Sequence, residues 1–133
     1  MQVVVFKVNE EQFAVEAAKV QSINDMMEIT KVPKSAQYIK GLINLRGNII
    51  SLLDINLLLG IEKGLDSQEN IIIINLQEES VGVTVDQVDE VLEIEEDLIE
   101  SVETDRKKSY IKGVINFKDR IVTLIDIAKL IEN

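Results

Sequence analysis

The chain has 133 residues, with 14 Lys and Arg against 24 Asp and Glu, and no His and no Cys. That composition excludes a disulfide framework, a thiol nucleophile, a His base and a Cys/His zinc centre, while a net charge of -10 argues against nucleic acid as a partner. With no apolar run near the ~20 residues of a membrane span, and no basic start or cleavage site in Met1–Lys7, the sequence points to an acidic cytoplasmic protein with no membrane insertion, no metal and no cofactor.

Ile and Val together number 35 and Leu and Ala 18. β-Branched side chains lose rotamers in helices and pack well on pleated sheets, so a β-rich chain is expected. In chain order the short apolar runs predict strands over Gln2–Val8, Gln12–Glu16, Val20–Asn24, Leu42–Arg46 and Asn48–Leu53. A short helix follows over Ile55–Leu59, preceded by Asp54 as its cap. Gly60 to Glu69, with two Gly, Asp66 and Ser67, reads as a linker. The second set of strands runs Asn70–Leu76, Val81–Val85, Val88–Ile94, Val114–Phe117 and Ile121–Ile125. Asp126 then caps a second helix over Ile127–Ile131.

Charge is concentrated in the middle. Residues 1–59 sum to zero and 110–133 to +1, while 60–109 carry -11. Within that segment Asp86 to Asp105 holds ten acids and no base. Such a run is a solvated face or an electrostatic surface for a basic partner. It lacks the Gly and the spacing of a calcium loop.

The chain also repeats itself. Tyr38–Leu59 aligns without gaps on Tyr110–Ile131, with eleven of 22 pairs identical, among them Gly41/Gly113, Asn44/Asn116, Ile49/Ile121 and Asp54/Asp126. A weaker match places Phe13–Ile23 on Val81–Val91 at an offset of 68 rather than 72. Four extra residues therefore lie between Val91 and Tyr110. The pseudo-repeat halves are about 1–62 and 68–133. Each is marginal alone, so the expected fold is all-β: two pseudo-symmetric five-stranded small barrels packed together in a single domain, with short helices after Asp54 and Asp126.

The duplicated Asp54 and Asp126 admit two readings. A shared-proton dyad would make the protein an acidic hydrolase. Neither Asp is followed by the Thr/Ser-Gly that lets a backbone approach substrate, and helix capping explains both positions more simply. Gly41 and Gly113 mark bends or close packing. Tyr38 and Tyr110 read as buried plugs with wet hydroxyls in preference to binding aromatics. Arg46, at a hairpin tip where folding needs no cation, is either a solvated turn residue or an anchor for a partner carboxylate. Met26 and Met27 are core filler or an adaptable exposed contact.

Tyr38-Ile-Lys-Gly-Leu-Ile-Asn-Leu-Arg-Gly-Asn-Ile-Ile-Ser-Leu-Leu-Asp54 closely resembles the signature of the CheW family of bacterial chemotaxis coupling proteins. Phe6–Val15 with Lys19–Ile23, and Val81–Val91, resemble it too, so the likeness covers the whole chain. The resemblance implies two intertwined five-stranded barrels and a non-enzymatic adaptor. Its partners would be the signalling tips of chemoreceptors and the regulatory domain of the histidine kinase CheA. It places receptor binding at Val20, Ile23, Arg46, Val88 and Val91, and kinase binding at Ile29 and Thr30, with a second contact at Glu100 and Ser101. The sequence departs from the family at Ser22, where many members carry Glu, and in its few aromatics. An adaptor of a non-motility chemosensory pathway is the alternative within the same class.

Overall fold

Eleven strands and two short α-helices form among the residues that the computed structural model describes, 1–65, 67–102 and 108–132. In chain order they are β1 (Gln2–Val8), β2 (Glu11–Glu16), β3 (Val20–Asp25), β4 (Ile39–Leu45), β5 (Asn48–Asp54), α1 (Ile55–Leu59), β6 (Asn70–Asn75) and β7 (Ser80–Val85). Then come β8 (Gln87–Glu93), β9 (Ile99–Glu100), β10 (Ile111–Phe117), β11 (Arg120–Ile125) and α2 (Ile127–Glu132). Ten strands and both helices stand where the residue patterns place them, with boundaries moved by up to three residues. β9 is the addition. Asp66 of the linker and Glu103 and Asp105 of the acidic run lie outside the described residues.

The all-β class holds, but the expected pair of five-stranded barrels is corrected. One sheet has six strands in the order β8-β1-β2-β11-β10-β9, and the other has five in the order β3-β6-β7-β5-β4. Neither order closes into a ring. Each sheet instead rolls around an apolar interior of its own. In the six-stranded sheet, Leu92 of edge strand β8 and Ile99 of edge strand β9 pack on one cluster with Val3, Val5, Ile115, Val122 and Leu124. Side-chain packing does the closing that a hydrogen-bonded seam would do in a barrel.

The sheets also exchange strands. The β1–β2 hairpin joins β8–β11, and the β6–β7 hairpin joins β3–β5. Each exchanged hairpin attaches on both sides, antiparallel to an edge strand (β1 to β8, β6 to β3) and parallel to an inner one (β2 to β11, β7 to β5). The burial follows from the period of two. In β1, Val3 and Val5 enter the interior of their own sheet, whereas Val4, Phe6 and Val8 face the other sheet. In β6, Ile71 and Ile73 point inward, while Ile72 and Ile74 meet that same central core. Runs such as Ile71–Ile74 are apolar throughout because both faces are covered.

Gly41 and Gly113 sit at matching bulges in β4 and β10. A Cβ on Gly41 would come within 2.3 Å of the Thr30 carbonyl oxygen, and one on Gly113 within 2.6 Å of the Glu100 oxygen. Their φ values are +152° and +158°. Close approach of an edge segment, repeated in both sheets, is what requires glycine here.

Candidate functional site

β3 and β8 are edge strands of opposite sheets, each hydrogen-bonded on one side only, to β6 and β1 respectively. Both carry a bulge at the same place in the repeat: Gln21 is skipped in the pairing of β3 with β6, and Asp89 in the pairing of β8 with β1. An extra residue shifts the alternation, so positions three apart share a face. Val20 and Ile23 stand across from Ile74 and Ile72, and Val88 and Val91 across from Phe6 and Val4. All four cross-strand neighbours belong to the central core. The four sequence-expected groove residues therefore lie on the faces of two edge strands that border that core. Val20 and Val88 are half-buried against it, whereas Ile23 is 39% and Val91 48% exposed.

The two edges meet at one end. Met26 N–H donates to Glu69 O (3.1 Å), Glu69 N–H to Asp86 O (3.0 Å) and Asp86 N–H to Lys7 O (3.0 Å). The buried Asp86 carboxylate accepts from Asn9 N–H at 2.8 Å. A cleft of about 660 Å³ lies elsewhere, between β2, β11 and the turn after α1, and none of the four groove residues lines it.

Arg46 occupies the β4–β5 turn at φ +54°, followed by Gly47 at +88°. β4 is the edge of its sheet opposite β3, and among the described residues no hydrogen bond or ion pair joins Arg46 to the four apolar positions.

The expected kinase-contact residues form a second matched pair of edges. Thr30 exchanges two backbone hydrogen bonds with Leu42, at 2.9 and 2.8 Å, extending the five-stranded sheet past β4. Glu100 pairs with Val114 and Ile99 with Ile115, extending the other sheet past β10. Leu42 and Val114 are repeat mates, so Thr30 and Glu100 are mates as well, at an offset of 70. The insertion thus enters in two steps of two residues, one on each side of Glu100. Thr30, Glu100 and Ser101 are exposed, and Ile29 is half-buried against the interior of the five-stranded sheet, the cluster of Ile43, Ile50, Leu52, Ile71 and Ile73 on which Met26 and Met27 also pack. The first edge is followed by Lys31 and Lys34, the second preceded by Glu95, Glu96 and Asp97.

Asp54 and Asp126 both cap helices. Asp54 Oδ1 accepts from Asn56 N–H (3.0 Å) and Leu57 N–H (3.4 Å), and Asp126 Oδ1 from Lys129 N–H (3.2 Å). Lys63 pairs with Asp54 at 3.5 Å. Lys40 donates to Gln68, whose amide donates to the buried Asn56 at 2.9 Å. Burial holds the Lys40 ammonium below its usual range, Lys63 adds to that, and Asp54 and Asp86 oppose it.

The matched burial does not extend to the tyrosines. Tyr110 is buried as expected, whereas Tyr38 is 43% exposed. Leu59, Gly60 and Ile61 at the end of α1 line the cleft that Tyr110 also lines. Sequence reasoning missed β9, and it missed Asn70, whose side chain reaches both groove strands.

Together these features define a duplicated two-sheet β domain with matched edges. A family model described as CheW-like domain matches residues 2–133, and the chain belongs to that family. The chemotaxis protein CheW of Thermotoga maritima is 34% identical over 134 residues, covering 98% of this chain and 87% of that protein. The chemotaxis protein CheW of Bacillus subtilis is 33% identical, covering 92% and 81%. The crystal structure of the scaffolding protein TtCheW from Thermoanaerobacter tengcongensis superposes with a TM-score of 0.87 at 31% identity, over 97% of this chain and 86% of that one. Among the described residues no helix is long and apolar enough to cross a membrane.

Proposed function

We propose that the chain is a non-enzymatic cytoplasmic adaptor that couples chemoreceptor signalling tips to the regulatory domain of the histidine kinase CheA. Family membership and relatives named as chemotaxis and scaffolding proteins support the reading. The observation that carries it is the pair of exposed apolar residues, Ile23 and Val91, at repeat-equivalent places on two edge strands. An amphipathic receptor helix lays an apolar stripe between such edges. Thr30 and Glu100, on the other two edges, contact the kinase domain, whose own fold resembles this one. Arg46 orients the receptor through its charge.

The test is binding of a receptor cytoplasmic fragment and of kinase, measured separately. Ile23→Asp with Val91→Asp removes two half-exposed apolar contacts, worth about 2–3 kcal/mol together, so receptor affinity drops by about two orders of magnitude. Kinase affinity holds. Thr30→Arg with Glu100→Lys gives the reverse pattern. Equal loss of both partners from either pair, in proteins that melt as the parent does, would overturn the assignment.

A further inference from the structure

We infer that Asn70 is a positioning residue that holds the two edge strands of the groove at their working separation. Asn70 opens β6, and its side chain spans the opening between β3 and β8. Its Oδ1 accepts from the backbone N–H of Val88 at 2.9 Å, and its Nδ2 reaches the carbonyl oxygen of Asn24 at 3.5 Å. Asn24 in turn donates through its own Nδ2 to Ser22 Oγ at 2.9 Å. A polar chain thus runs Ser22–Asn24–Asn70–Val88 from one sheet to the other. It ends on the backbone of a residue expected to touch the receptor.

The repeat supplies an internal control. The ladder ends beside the joint are duplicated: Met26 N–H to Glu69 O (3.1 Å), which closes β3 on β6, has its mate in Ile94 N–H to Met1 O (2.8 Å), which closes β8 on β1, each pair displaced by 68 residues. The side-chain part is not duplicated. The mate of Asn70 is Gln2, which is exposed, and among the described residues no hydrogen bond joins it to Val20, the mate of Val88. The Asn70 bridge is an addition at one end, between β3 and β8. It also gives Ser22 a place in the joint as the acceptor for Asn24. Its own repeat mate is Glu90, which pairs with Arg120 instead.

The inference rests on the groove being the receptor surface, and its test separates the two. Asn70→Ala removes both arms. Asn70→Asp keeps an acceptor for Val88 N–H and loses the donor to Asn24. With receptor fragment titrated against each purified protein, Asn70→Ala should bind about tenfold more weakly, as expected for loss of a short hydrogen bond that fixes geometry. Asn70→Asp should recover to within about threefold of the parent. Kinase affinity should stay level for both, and amide exchange at Val88 should quicken in Asn70→Ala alone. If Asn70→Ala binds receptor as the parent does while Ile23→Asp does not, the positioning role is wrong and the groove stands. If neither variant affects receptor, the groove reading itself falls. Matching losses of receptor and kinase binding in Asn70→Ala would make the residue a general structural support and overturn the inference.

Discussion

Arg120 of β11 and Glu90 of β8 form an ion pair although two strands, β1 and β2, separate them in the sheet. Both residues project to the inner side: Glu90 stands across from Val5, and Arg120 alternates with Val122 and Leu124. The guanidinium lies 5.1 Å from the Phe117 ring centroid, and among the described residues its buried Nε has no hydrogen-bond partner. The pair therefore closes the mouth of the rolled six-stranded sheet with one charge-assisted contact. Their repeat mates, Asn48 and Ser22, carry no charge, so the five-stranded roll is held without such a pair.

Removing the acid should cost more than a surface pair does. Both side chains are about one-third exposed, which sets the loss for Glu90→Gln at about 1–2 kcal/mol, between exposed and buried pairs. Chemical denaturation of Glu90→Gln, Arg120→Gln and the double variant would measure the coupling. A coupling energy near zero would leave the roll to its apolar interior alone.

Gly41→Ala and Gly113→Ala should each destabilise by about 2–4 kcal/mol, because the new methyl would strike a backbone oxygen that cannot swing away. Gly47→Ala is the comparison. Its φ is +88° and none of the described residues lies within 4 Å of the added carbon, so only the conformational cost of about 1 kcal/mol remains. Hydrogen exchange should locate the damage: the Thr30 and Leu42 amides lose protection in Gly41→Ala, and those of the β9–β10 pair in Gly113→Ala.

Lys40 gives the fold an alkaline signature. Burial first, and then Lys63, place its folded-state pKa below 10.5, while the unfolded chain keeps the ordinary value. Between those two values the unfolded state binds more protons, so this residue makes stability rise with pH there. The cost of the buried ammonium is fully present below the folded pKa and gone above 10.5. Urea midpoints of the parent and Lys40→Met, followed from pH 7 to 10.5, should shift relative to one another in the parent's favour. Parallel curves would remove Lys40 from the pH response.

The acidic face should act on encounter. Glu95, Glu96, Asp97 and Glu100 are exposed, and exposed charges are screened beyond about 8 Å at physiological salt. Association with a basic partner surface should slow as salt rises while dissociation changes little. A stopped-flow on-rate that stays flat from low to high salt would reduce these residues to solvation.

Local pattern was enough to place β1 to within a residue, and α1 between Asp54 and Gly60, because alternation, caps and turn residues act over a few positions. β9 escaped because two residues carry no periodicity, and Ile99 sits within a run dominated by charge. It was still recoverable. Leu98-Ile99-Glu100 matches Glu28-Ile29-Thr30 once the offset of 70 is tried, and Gly113 repeats the Gly41 contact. The exchange of hairpins was not legible in the residue pattern, since Phe13 meeting Thr123 and Ser51 meeting Val81 are long-range pairings that no local pattern encodes. Of the expected site, Val20, Ile23, Val88 and Val91 share a border through bulges at Gln21 and Asp89. The tyrosines diverged because identical residues met different neighbours.

The strand exchange has a kinetic side. β1 finds its second partner only when β8 exists, more than 80 residues downstream, and β2 waits longer still for β11. During synthesis the Val-rich β1–β2 hairpin must therefore remain without its sheet until almost the whole chain has emerged, and β3, β4 and β5 lack β6 and β7 until the linker has passed. Pairings so distant in sequence raise the entropic barrier and slow folding relative to a protein built of local hairpins. A ribosome-bound first half would expose the apolar faces of Val3–Phe6 and Leu52–Ile55, surface of the kind that aggregates until its partner strands arrive.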